Sequence, residues 1–103
     1  MSDVNTSEIL ERFRTQGVDE VNYVVGIWEI QVDGCPVKLR IKVERGADGM
    51  YIAWPNYTIR KCGLTPHVQH NAQDALRDTL GKLLGCLPRP KMRKQDFELD
   101  EDF

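Results

Sequence analysis

Apolar and polar positions exchange at every step from Val37 to Glu44. Val37, Leu39, Ile41 and Val43 alternate with Lys38, Arg40, Lys42 and Glu44. A period of two is the signature of a β-strand with one buried face, because successive side chains point to opposite sides of a sheet. Gly46-Ala47-Asp48-Gly49 then supplies residues that tolerate positive φ, as a tight reversal requires. Met50 to Trp54 is a second β-rich run, stopped by Pro55, which has no N–H to give to a ladder. The pattern predicts a hairpin whose first strand carries a basic outer face. Upstream, Tyr23 to Val32 is β-branched and aromatic and runs into Asp33-Gly34, a strong hairpin signal. Three antiparallel strands follow, at 23–32, 36–45 and 50–54. Tyr57 to Cys62 either continues the third strand past a bulge at Pro55 or forms a short fourth one.

The remaining segments change period. Asn5-Thr6-Ser7-Glu8 has the form of a capping box, with Asn5 as N-cap, followed by an apolar stripe of Ile9, Leu10 and Phe13 and a stop at Gly17. From Asn71, the apolar positions Ala72, Ala75, Leu76, Leu80, Leu83 and Leu84 (with Thr79 among them) recur at three and four residues. Gly85 is placed to end this helix, and Leu87-Pro88-Arg89-Pro90 forbids its continuation. The expected architecture is α+β: a three- to four-stranded antiparallel meander with an N-terminal and a C-terminal helix packed on one face. Residues 1–87 form one domain. Residues 88–103 lack the apolar content to offset the entropy of ordering them and are expected to be a disordered tail, basic and then acidic.

Charge changes this picture. The chain has 103 residues and a formal net charge of −2, but residues 96–103 hold five acids and no base. Without them the body has 14 basic against 11 acidic residues, a charge of +3. A basic body with an acidic end differs from a weakly acidic globule in the partners it attracts. No apolar run approaches the roughly 18–20 residues that span a bilayer, so no membrane association is expected. The first ten residues are polar and acidic, unlike a secretory leader. Cys35, Cys62 and Cys86 form no CxxC pair, and their odd number points to reduced thiols in a cytoplasmic setting.

The candidate chemistry is mostly electrostatic. Lys38, Arg40 and Lys42 fall in a row about 7 Å apart, twice the strand rise, close to the spacing of phosphates along one nucleic-acid strand. Arg60, Lys61, Arg89, Lys91, Arg93 and Lys94 extend the basic set, and neighbouring aromatics can stack bases. The same charges also suit a solvated face, or an edge guarded against aggregation. In the acidic segment, Phe97, Asp100, Glu101, Asp102 and Phe103 can imitate a polyanion and cover a basic groove in cis. They can equally dock into a basic partner protein, or simply solubilise the chain. Cys62, His67, His70 and Cys86 have a spacing able to hold zinc, but unpaired cysteines in such a domain commonly serve as packing residues. Trp28 and Trp54 read as core or hairpin packing. No paired carboxylates, triad or phosphate cradle stands out, so neither an enzyme nor a metal or other cofactor is expected.

An acidic turn at Asp33, Ile41 and Val43 ending a strand, Gly46 and Gly49, then Ala53 and Pro55 fit, without a gap, a pattern that resembles the SpoVG family of small septation regulators. Gln73-Asp74-Ala75 in the following helix is also similar. This resemblance implies a homodimeric α+β protein that binds nucleic acid through basic residues after the third strand, with Arg60 and Lys61 as the nearest counterparts. A second set, Asp48-Gly49, Tyr51, Ala53, Pro55, Cys62 and a helix with Ala75-Leu76, looks like the sheet-and-helix body of HicB-type antitoxins. That likeness implies binding of a small basic toxin through the sheet and the acidic segments. The expectation carried forward is a cytoplasmic, non-enzymatic regulator that binds DNA or RNA. The alternative is an antitoxin-like inhibitor of a basic protein.

Overall fold

A computed structural model describes residues 4–103 of the chain. Three strands, β1 (Tyr23–Ile30), β2 (Leu39–Arg45) and β3 (Tyr51–Pro55), form an antiparallel meander in the order β1-β2-β3. The turn between β2 and β3 closes as its sequence requires. Gly46 N–H donates to the Met50 carbonyl at 2.9 Å, Gly49 adopts φ 81°, and Asp48 Oδ1 accepts from Met50 N–H at 2.9 Å. The alternation on β2 resolves as expected, with Leu39, Ile41 and Val43 fully buried and Lys38 and Arg40 exposed. Burying each of those apolar side chains stabilises the fold by about 1.5–3 kcal/mol. The fold class is α+β.

Helix α2 (Ala72–Cys86) covers the apolar face. Asn71 caps it by accepting from Asp74 N–H at 2.8 Å. Ala75, Thr79 and Leu83, four residues apart, form its buried line. Thr79 is fully buried and donates its hydroxyl to the Ala53 carbonyl at 2.8 Å, so this polar member of the stripe fastens the helix to β3. The helix does not stop at Gly85. It runs one residue further and ends at Leu87, whose extended backbone is what the following proline imposes.

Three further expectations are corrected. Helix α1 (Thr6–Phe13) forms where the capping box places it, with Asn5 Oδ1 accepting from Glu8 N–H at 3.1 Å, yet none of its residues is buried. It leans on the β2–β3 turn instead, through a hydrogen bond from the Ser7 hydroxyl to the Ala47 carbonyl. The inner face is already occupied by the fifteen-residue α2, so the short helix has only the end of the sheet to rest on. This placement elongates the molecule to 50 × 26 × 19 Å, with a radius of gyration of 15.6 Å against about 13 Å for a compact chain of this length.

The tail is the second correction. Tyr57–Ile59 forms a fourth strand, β4, but it leaves the meander and pairs with β5 (Phe97–Leu99) in a separate two-stranded sheet. Residues 88–103 are therefore not a disordered appendage. Phe97 is 8% exposed and meets Tyr57 edge-on with ring centroids 6.1 Å apart. One buried aromatic on a paired strand supplies the apolar anchor that composition alone concealed.

The third concerns the cysteines. Cys62 and Cys86 form a disulfide with Cα atoms 5.7 Å apart, and only Cys35 is free. The thiol argument for a reducing compartment falls with it. Among the described residues no helix is long and apolar enough to cross a membrane.

Asn56 joins the two sheets. Its backbone N–H donates to the Arg40 carbonyl at 2.9 Å and its carbonyl accepts from Asp100 N–H at 2.8 Å. Its side chain accepts from Arg40 N–H at 2.8 Å and donates to the Lys38 carbonyl at 3.0 Å. The residue is 6% exposed, so these groups have no water to fall back on.

Two stability predictions follow from these anchors. Asn56→Ala strands Arg40 N–H and the Lys38 carbonyl, and is expected to cost about 2–3 kcal/mol in chemical denaturation. Reduction, or Cys62→Ser with Cys86→Ser, opens a loop of 24 residues' separation, and is expected to cost about 3 kcal/mol on a chain-entropy basis. A reduced protein with an unchanged midpoint would refute the second.

Candidate nucleic-acid interface

The row read from the sequence survives folding. Arg40 and Lys42 lie on the face of β2 that α2 leaves uncovered, and Lys38, just before the strand, reaches the same Glu29 carboxylate as Arg40. Strand register sets their neighbours: Arg40 stands opposite Glu29, and Lys42 stands between Ile27 and Trp54. Ile27 is 56% and Trp54 38% exposed, so the face alternates cations with apolar and aromatic surface.

Each cation already has a partner. Glu29 on β1 lies 3.6 Å from the Lys38 ammonium and 3.4 Å from the Arg40 guanidinium. Both pairs are largely exposed, so water screens them and neither holds its cation firmly. Lys42 has a different cover: its ammonium sits 5.0 Å from the centroid of the Phe103 ring. The end of the acidic segment thus lies on the basic row. Lys42 also lines a groove in which acids predominate, with Glu20, Glu44, Asp48 and Asp102 around Ile52 and Trp54.

The other predicted cations do not join this row. Arg60 and Lys61 follow β4, where Arg60 N–H donates to the Asp96 carbonyl at 2.8 Å. Arg93 reaches the same residue: its N–H donates to Asp96 Oδ2 at 3.1 Å and its guanidinium lies 3.6 Å from Oδ1. Of these cations only Arg93 pairs its side chain with Asp96, while Arg60, Lys61, Lys94, Arg89 and Lys91 are exposed to solvent. Lys61 holds a φ of 64°, which fixes a sharp change of direction there.

The acidic set divides as well. Phe97 is buried and is not available to a partner. Asp100 is tied to Asn56 and its Oδ1 accepts from Asp102 N–H at 2.9 Å. Glu101 and Asp102 are exposed.

Cys62 and Cys86 bond to each other, which withdraws both thiolates from the set considered with His67 and His70. Among the described residues, no group of three or more His, Cys, Asp or Glu could hold a metal ion.

A seam pocket of about 180 Å³ opens where the chain passes from β3 to β4. Trp54, Pro55, Tyr57, Leu64 and the Cys62–Cys86 disulfide form its walls, and Asp100 stands at it as the acidic group. Sequence reading missed this pocket, and of the two places expected for Trp54, core or hairpin packing, it takes the second, 38% exposed opposite Lys42. Trp28 is equally exposed, resting on the backbone of Gly26, where a Cβ would lie 2.9 Å from its ring.

The loop that supplies Leu64 is clamped to α2. Lys82 donates to the Thr65 carbonyl at 2.8 Å and to Asp78 Oδ2 at 3.1 Å. His67 N–H also donates to Asp78 Oδ2, at 3.3 Å. Burial pushes the Asp78 carboxyl upward, but the Lys82 and His67 hydrogen bonds and their charges outweigh it and hold the group below the ordinary carboxylate value. In comparisons with known proteins, no family model, no curated protein and no solved structure matches this chain.

The Asp78 shift fixes the sign of a pH effect. A folded value below the unfolded one gives stability that is complete above about pH 4 and lost as pH falls through the folded value. Asp78→Asn is expected to lower Tm at neutral pH, and its difference from the parent to close in acid, read by thermal unfolding across pH. A difference that widens on acidification would contradict the assignment.

Proposed function

We propose that this chain is a non-enzymatic regulatory protein that binds single-stranded nucleic acid on the open face of its three-stranded sheet. Residues 101–103 occupy part of that face in the free protein. The observation that carries the reading is the row Lys38, Arg40, Lys42 on one uncovered strand face, with exposed Trp54 directly across from Lys42. Cations at that interval suit successive phosphates, and an exposed indole beside them gives a base a surface to stack on. Phe103 occupies the position of such a base, with Asp102 nearby as the negative charge. The SpoVG-like arrangement of turns and strands is in keeping with this role, and the unpaired outer edge of β1 offers a place for a second copy.

A second reading has its own observation. The groove around Lys42, with Glu20, Glu44, Asp48 and Asp102 beside Ile52 and Trp54, carries an acidic excess that suits the basic and apolar side chains of a partner protein, as an antitoxin-like inhibitor would need.

One experiment separates the two. A fluorescent oligonucleotide is titrated with the full chain and with a chain ending at Asp100, at two salt concentrations. Three engaged cations imply a salt slope near −2, so raising salt from about 50 to about 200 mM should weaken binding roughly fifteen- to twenty-fold. Removing Glu101, Asp102 and Phe103 should tighten binding on the order of five-fold at low salt. No binding by the shortened chain at low salt would reject the nucleic-acid reading. Stoichiometric capture of a basic protein, lost with the same residues, would favour the second.

A further inference from the structure

We infer that the seam pocket between the two sheets binds a single unstacked guanine base. This inference rests on the nucleic-acid reading of the adjoining face and names the base that face would present.

Size comes first. A volume of about 180 Å³ is far below the roughly 300–1,000 Å³ that accommodates drug-sized ligands. It exceeds the approximately 150 Å³ known to admit a benzene ring. One planar ring system fits, and a whole nucleotide does not.

The walls set the chemistry. Trp54 and Tyr57 offer aromatic surface, and Pro55 and Leu64 complete an apolar enclosure suited to a flat face. Asp100 is the one carboxylate among the lining residues, beside the hydroxyls of Tyr57 and Thr58, and can only accept hydrogen bonds when ionised. Its Oδ1 already takes one bond from Asp102 N–H, which leaves most of the lone-pair capacity of a carboxylate unspent. Guanine is the base whose Watson–Crick edge places two donors side by side, N1–H and N2–H₂, to meet the two oxygens of a carboxylate. Adenine and cytosine each set a ring-nitrogen acceptor beside their amino donor. Uracil and thymine flank their one N–H with carbonyl oxygens. Those acceptors would face Asp100 unfavourably.

Connectivity places the backbone of the same strand. Asn56, between the wall residues Pro55 and Tyr57, is hydrogen-bonded to the backbone of Lys38 and Arg40. On the other side, Arg60 and Lys61 directly follow Ile59, also a wall residue. A base entering the pocket therefore has Arg60 and Lys61 next to one wall along the chain, and the strand that carries Lys38 and Arg40 bonded to the other through Asn56.

The four ribonucleoside monophosphates, added singly, test this by backbone-amide NMR shifts and Trp fluorescence. GMP is expected to move the amides of Tyr57, Thr58 and Leu64, and to bind at least about five-fold more tightly than AMP, CMP or UMP. Asp100→Asn keeps the backbone bond to Asn56, and its amide spectrum reports whether the fold is retained. It should abolish the GMP preference while leaving weak binding of all four. Trp54→Leu should weaken all four by about ten-fold. GMP leaving these amides unmoved, equal binding of the four, or a preference that survives Asp100→Asn would each overturn the assignment. An oligothymidylate of about a dozen nucleotides probes the sheet face alone. If it binds while GMP leaves the pocket unmoved, the pocket is refuted and the face stands. If GMP is held with the stated preference and the oligothymidylate is not, the pocket stands and the face is refuted.

Discussion

The structure depends on the way Asn56 completes a β-ladder with its side chain. Where β3 ends at Pro55, the next residue would leave Arg40 N–H and the Lys38 carbonyl exposed at the rim of the core. The carboxamide has one acceptor and two donors, and it reproduces the missing strand. Because the side chain does the work of a backbone, the main chain is free to turn away and begin β4. The same residue's carbonyl then receives Asp100 N–H. One buried amide thus sets the backbone at the basic row, the start of the second sheet and the docking of the acidic segment. In a low-dielectric site such a network is stabilising only when complete, so the face and the pocket share one point of failure.

Much of the meander was legible because its determinants are local. The β2 alternation needs only a period of two and one buried face, and the turn needs only glycine at positive φ. The capping residue Asn5 was legible for the same reason, requiring a short polar side chain three residues before the N–H it accepts. What remained hidden depended on contacts distant in sequence. The pairing of β4 with β5 joins Tyr57 to Leu99, and three-residue strands carry too little periodicity to announce themselves. Mean composition also misled. Residues 96–103 are dominated by acid, yet a single buried Phe97 with a two-stranded ladder orders them. The α1 stripe was read correctly as amphipathic, but amphipathicity does not say which surface is still vacant.

The candidate site shows the same division. That Lys38, Arg40 and Lys42 share a face followed from the strand period. That Glu29 lies between two of them followed only from the β1–β2 register. Glu29 could have been placed on the polar side of its strand from its alternation with Trp28 and Ile30, so part of that signal was present. Asn56 gave one as well, a lone amide inside an otherwise β-favouring run. Its meaning depended on knowing that β3 stops one residue earlier. The disulfide had no comparable signal, since a separation of 24 residues between cysteines matches many pairings or none.

The acidic segment now divides by strength of attachment. Phe97 is held by burial, by the edge contact with Tyr57 and by backbone pairing, and it leaves only if the second sheet unfolds. Phe103 lies over Lys42 through an exposed cation–π contact, an interaction worth about 0.5–1 kcal/mol. That is less than a phosphate and a stacked base together would supply. Phe103 can therefore leave Lys42 without disturbing Phe97. The attachment thus weakens from residues 97–99, paired with β4, to Phe103 at the exposed end. Between them stands Asp100, fixed by its N–H to Asn56 and placed at the seam pocket. Its backbone is anchored by Asn56, while its carboxylate takes a bond from Asp102 N–H, so the setting of that side chain depends in part on the segment beyond it.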